Sequence, residues 1–137
     1  MKKVDRRSVL AIGLAAASAA MVKPAASQTT DPLAGKDTSP GPGVVQRAYG
    51  EEQSMVPGFK TVSMRDIIVQ PGAKGTDNTM PNAMVCHITE GELRVVQDGK
   101  TITAKKNYVW TCNKDTKEQA FNDGKVVGIM RITDLKA

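Results

Sequence analysis

The sequence predicts an all-β protein, a small barrel or sandwich built from short strands. Three observations predict it. Runs rich in Val, Ile, Thr and aromatic residues recur roughly every eight to twelve residues. Turn-forming clusters separate them, among them Pro71-Gly72, Asp98-Gly99 and Asn122-Asp123-Gly124. No stretch beyond the N-terminal segment sustains the apolar period of a helix.

The elements follow in order. Residues 60–70 alternate, with Val62, Met64 and Asp66 on one face, and end in the apolar run Ile67 to Val69 before Pro71-Gly72. Residues 83–88 form a second strand and 92–97 a third. Asp98-Gly99 is a two-residue hairpin turn, because both central positions of such a turn need the left-handed backbone that Asp and Gly tolerate. Residues 100–104 complete that hairpin. Residues 108–112, rich in β-formers, make another strand. The Asn-Asp-Gly turn follows, and 126–132 closes the set. Residues 114–118 read as a charged surface loop. There is no internal repeat.

The N-terminus reads as a targeting segment. Met1 to Arg7 is basic, and residues 9–22 are apolar, Ala-rich and uncharged. That run is a signal core, since a membrane span needs about 20 apolar residues. Arg6-Arg7, followed by Ser8, Val9 and Leu10, resembles a twin-arginine export signal. Ala25 and Ser27 supply the small residues for cleavage after Ser27. Removing residues 1–27 takes away five cations and Asp5, which lowers the formal charge from +5 to +1. The basic balance therefore belongs to the signal. No basic stripe with interleaved aromatics remains, which argues against nucleic acid as a partner. No later segment is long and apolar enough for a stable membrane anchor. Residues 28–43, rich in Thr, Ser, Pro, Gly and Asp, read as a flexible linker. Residues 44–137 are then one small domain with a modest core, which a homodimer would help to stabilise.

From Gly72 to Gly91 the chain reads GAKGTDNTMPNAMVCHITEG. The spacing of its glycines resembles the first motif of the cupin superfamily, G-x5-H-x-H-x3-E-x6-G. The resemblance implies a jelly-roll β-barrel and a site in the barrel interior. It also exposes a departure. The positions of the family's metal-binding His, His and Glu are held here by Asn78, Met80 and Met84, with Cys86 two residues on. The second motif, G-x5-P-x-G-x2-H-x3-N, falls on residues 106–124 and is eroded. Its metal-binding His is replaced by Lys117, or by Glu118 if the register shifts by one. Hard-metal chemistry needs imidazole and carboxylate ligands, and these positions lack them.

By the resemblance Met84 faces the interior, and alternation carries Cys86 to the same face. The strand after the first motif pairs in the family with the strand leading into the second, which brings Cys86 toward Cys112. Three readings share this cluster. Two thioethers and two thiols suit a soft ion, copper as Cu(I), with Met80, Met84, Cys86 and Cys112 as ligands. In an exported protein the two cysteines also suit a disulfide. Met and Cys are, finally, ordinary core residues. Trp110, the only tryptophan, shares a face with Tyr108 and Cys112 and is expected to wall the cavity with Asn78 and with Lys117 or Glu118; Phe121 and Met130 are expected to join it. His87, the only histidine, points to the opposite face. The runner-up function is a metal-free cavity for a small organic ligand, or an isomerase or lyase step. No Ser/His/Asp pairing, Cys/His pairing or phosphate loop is present at a suggestive spacing.

Overall fold

A computed structural model describes residues 35–137. The expected signal peptide, residues 1–27, and the first part of the expected linker lie outside the described residues. No helix among the described residues is long and apolar enough to cross a membrane.

The described residues form ten strands: β1 (Lys36–Gly41), β2 (Val44–Gln53), β3 (Thr61–Val69), β4 (Asn78–Thr79), β5 (Ala83–Glu90), β6 (Glu92–Gln97), β7 (Lys100–Lys105), β8 (Val109–Cys112), β9 (Lys117–Phe121) and β10 (Gly128–Lys136). They form two antiparallel sheets that face each other, one ordered β1-β2-β3-β10-β5-β8 and the other β4-β9-β6-β7. This is the all-β jelly roll that the strand spacing and the glycine motif predict.

Period-two alternation sets the inward face of each strand. Met84, Cys86 and Ile88 of β5 are buried, as are Trp110 and Cys112 of β8, Leu93 and Val95 of β6, and Met130 and Ile132 of β10. The β6–β7 hairpin turns at Asp98 and Gly99, both at positive φ, as the Asp-Gly pair requires.

Two readings of the sequence need correction. β1 lies within the segment expected to be a flexible linker. It is an edge strand that pairs with β2 through Thr38↔Gln46 and Gly41↔Val44, with Arg47 gripping Asp37 at 2.7 Å. Backbone pairing, not apolar alternation, holds it in place, so its Thr-Ser-Pro-Gly composition carried no strand signal. The supposed charged loop at 114–118 runs into β9, which pairs with both β6 and β4. Lys117 and Gln119 point outward there, while Glu118 and Ala120 point into the core. The charged outward residues masked the alternation.

Candidate functional site

The site forms where β5, β8 and β9 converge. β5 and β8 pair in the register Met84↔Cys112 and Cys86↔Trp110. Met84 therefore stands directly beside Cys112 on the inward face, and the two cysteines are diagonal neighbours. β9, from the opposing sheet, brings Glu118 to the same point. One donor atom each from Cys86, Cys112 and Glu118 lies within 4.8 Å of the others, and all three residues are buried.

The group is tightly bonded. The Cys112 thiol donates to Glu118 Oε2 at 2.8 Å, and the Trp110 indole N–H donates to the same oxygen at 3.2 Å. The Gln97 amide donates to Cys112 Sγ at 3.0 Å and to the Thr111 carbonyl at 3.1 Å. The second of these bonds fixes which end of the amide faces sulfur, because a carbonyl only accepts. The neighbouring Cys112 thiol, burial and the Glu118 carboxylate together push the Cys86 thiol far above its ordinary range. Cys86 is thus a protonated thiol at neutral pH. No buried side-chain nitrogen or oxygen among the described residues lacks a partner.

Both cysteines are free thiols. Their diagonal placement explains why. Diagonal Cα atoms on paired strands stand about 7–8 Å apart, whereas a disulfide wants less than about 7 Å. The sulfurs can share an ion without backbone movement, whereas a covalent bond between them requires the Cα atoms to move closer.

Next to this cluster lies a cavity of about 570 Å³. Its wall carries Gln46, Ser63, Arg65 and Asp134 over an apolar base of Ile67, Met130 and Ile132. Arg65 is held bidentately by Asp134, at 2.9 and 3.3 Å, and bonds Gln46 at 3.1 Å. Asn78, Thr79 and Met80 border it from the second sheet's side, and Glu118 lines it as well.

The expected site residues therefore divide. Asn78, Met80 and Glu118 line the cavity. Met84, Cys86, Trp110 and Cys112, expected to line it too, are packed core residues behind Glu118, because the sheet order sets β5 and β8 at one end of the large sheet while the cavity opens toward β2 and β3 at the other. Met80 is partly buried, packs against the core cluster and lines the cavity, whereas the two cysteines do not line it. Asn78 is exposed at the rim and bonds Thr76. Of the two registers weighed for the second motif, Glu118 is the residue that faces inward. Lys117, expected as a cavity residue, points to solvent and pairs with Asp77 at 3.1 Å. Met130 joins the cavity wall, but Phe121 faces out beneath the Arg94 guanidinium, 4.1 Å from its ring centre. His87 is half-buried on the outer face of the large sheet, paired in register with Arg131 and Val109.

Sequence reasoning missed Gln97, Arg65 and Asp134. A signal existed for the last two: alternation puts Arg65 on the same face as Ile67 and Val69, and Asp134 on the same face as Met130 and Ile132. Gln97 carried none, since only the lateral order of β6 and β9 brings it to Cys112.

No protein-family model matches the chain, and no curated protein matches it by sequence. Solved structures do. An RmlC-like cupin from Shewanella frigidimarina is similar at 19% identity with a TM-score of 0.61, over 74% of this chain and 84% of that one. KdgF from a Halomonas species is similar at 11% identity and TM-score 0.60, over 74% and 87%. A predicted oxalate decarboxylase from Thermotoga maritima is similar at 14% identity and TM-score 0.61, over 77% and 95%. At these identities the likeness shows the fold, a cupin jelly roll. The hard-metal ligand set that the motif resemblance implies is not present here. Its His, His and Glu positions are Asn78, Met80 and Met84, and the lone histidine is on the wrong face.

Proposed function

We propose that this is an exported cupin whose barrel holds a soft metal ion, copper as Cu(I), at Cys86 and Cys112. The observation that carries the reading is the convergence of two buried thiols and one buried carboxylate within 4.8 Å. Cu(I) takes thiolate sulfur in preference to oxygen. Cys86 and Cys112 are its ligands in this reading, with the Met84 thioether beside Cys112. The Met80 thioether lines the adjoining cavity. Each thiol gives up its proton as its Cu–S bond forms, which couples uptake to pH. Glu118 already accepts the Cys112 proton in a hydrogen bond and is its first acceptor. A borderline ion such as Zn(II) would instead recruit Glu118 oxygen as a ligand.

The test is an anaerobic titration of mature protein with Cu(I) against a chromophoric chelator, and a parallel one with Zn(II). Cys86→Ser and Cys112→Ser are each expected to weaken Cu(I) binding at least about a hundredfold, as loss of one of two thiolates requires. Glu118→Gln is expected to spare Cu(I) more than Zn(II). Wild-type protein that cannot compete for Cu(I) defeats the reading.

Export by the twin-arginine route, to the periplasm or beyond, is part of this proposal. It rests on Arg6-Arg7 and the apolar run that follows. Changing both arginines to lysine should strand the precursor in the cytoplasm; export unaffected by the change would refute the route. A homodimer is also proposed, supported by the small size of the core and by apolar residues such as Met64 and Val109 exposed on the large sheet's outer face. A monomer by light scattering at micromolar concentration would refute it.

The second reading is a small organic ligand in the cavity, with or without an isomerase or lyase step. The cavity's size and its Gln46, Ser63 and Arg65 wall favour it.

A further inference from the structure

The thiol pair has no exposed atom of consequence: Cys86 is 0% and Cys112 3% exposed. An ion must therefore be let in. Each approach has a guard. Trp110 covers the β8 side and packs against Tyr108, ring centres 5.8 Å apart. Gln97 closes the hairpin side, its amide bonded to both Thr111 and Cys112. Met84 and Ile88 fill β5's inward face on either side of Cys86. The remaining side is Glu118, the only one of the three clustered donors that also lines the cavity. Its carboxylate sits between open space and Cys112.

We infer that the ion reaches the thiols through the cavity and past Glu118, and that Met80 on the cavity side is a transfer ligand rather than a resident one. This rests on the soft-metal reading. Several features make the cavity suited to the task. Its volume matches that of small-molecule sites, so an ion can arrive on a low-mass chelate. Met80 offers a thioether, a weak soft donor that binds Cu(I) and lets it go. Glu118 then presents an anionic oxygen to the cation next to the first thiol. In the transfer the bonds from Cu(I) to the chelate and to the Met80 sulfur would break as the bonds to Cys112 and then Cys86 form, and the freed chelate would leave by the cavity. The Cys112 proton would pass to Glu118 and remain there, the Cys86 proton would leave to solvent by the same cavity, and no electron would move.

The route predicts a kinetic signature. Thr79, exposed and on the cavity border, takes a large side chain without touching the core. In Thr79→Trp, stopped-flow uptake of Cu(I) from a small chelate is expected to slow at least tenfold, and release to a competing chelator by a similar factor. Ser63→Phe, which fills the wall from β3, is expected to act the same way. Met80→Leu is expected to slow uptake more than it weakens equilibrium binding. Uptake indifferent to both Thr79→Trp and Ser63→Phe, or hastened only by Gln97→Ala, overturns the route and places the way in at the hairpin side. Wild-type protein that takes up no Cu(I) under these conditions sinks the soft-metal reading itself, a separate outcome.

Discussion

The two glycines of the 72–91 motif hold different structural obligations, and replacing each by alanine separates them. Both sit at positive φ, Gly72 at 78° and Gly91 at 68°. An L-residue in that region is strained by roughly 1–2 kcal/mol. Alanine recovers about 0.4–1 kcal/mol of this by restricting the unfolded chain. Gly72→Ala meets nothing within 4 Å, so its net loss is about 1 kcal/mol. At Gly91 a methyl group would stand 2.4 Å from the Val127 carbonyl oxygen and 3.1 Å from Gly128 Cα. Both are backbone atoms at the start of β10 and cannot rotate away. Moving them strains the β5–β10 ladder, which adds the roughly 1–3 kcal/mol of an overpacked core. Gly91→Ala should thus lose about 3 kcal/mol in all, against about 1 for Gly72→Ala. For a domain of this size that is a fall in Tm of about 15 °C against about 5 °C. Urea unfolding followed by Trp110 fluorescence measures both, with equal m-values confirming the same unfolding reaction. Equal losses at the two positions would refute the claim that close approach to β10, rather than backbone conformation alone, demands glycine at 91.

Further outcomes follow from the same structure. Two thiols should react with a disulfide reagent in denaturant and almost none in the native protein, since both cysteines are buried and free; absence of thiols in the unfolded protein would establish a disulfide. Trp110 is buried and donates to Glu118 at 3.2 Å, so its emission should be blue-shifted and should change on Cu(I) binding; emission unchanged at saturating Cu(I) would contradict a site at Cys86 and Cys112. Burial alone would raise the Asp66 carboxyl, but hydrogen bonds from Arg131 and Tyr49 outweigh it and hold the group below its ordinary value. A lowered folded pKa stabilises fully above the unfolded value and fades as pH falls through the folded one. Stability should therefore drop below about pH 4, and Asp66→Asn should flatten that part of the drop while losing about 1 kcal/mol at neutral pH; an unchanged acid limb removes Asp66 from the account. Lys117→Ala should alter stability by less than about 0.5 kcal/mol and leave metal binding as it was, because Lys117 points to solvent.

The sequence by itself determined the strands with clear alternation, the Asp-Gly hairpin, and the soft character of the residues at the motif's metal positions. Those features are local, and periodicity or turn chemistry is enough to read them. The cupin resemblance implied that Met84, Cys86 and Cys112 share the interior, and the structure buries all three, though in the core rather than on the cavity wall. Lateral order decided the rest. Only the pairing of β9 with β6 turned Glu118 inward and Lys117 outward, and set Gln97 against Cys112. Only the Met84↔Cys112 register made the two cysteines diagonal, and so thiols within reach of one ion rather than partners in a bond. The placement of β2 and β3 at one end of the large sheet, with β5 and β8 at the other, divided the cavity from the thiols and left Glu118 as their shared wall. Non-local pairing depends on which strands find each other in three dimensions, and one strand's residues do not encode its neighbour's register.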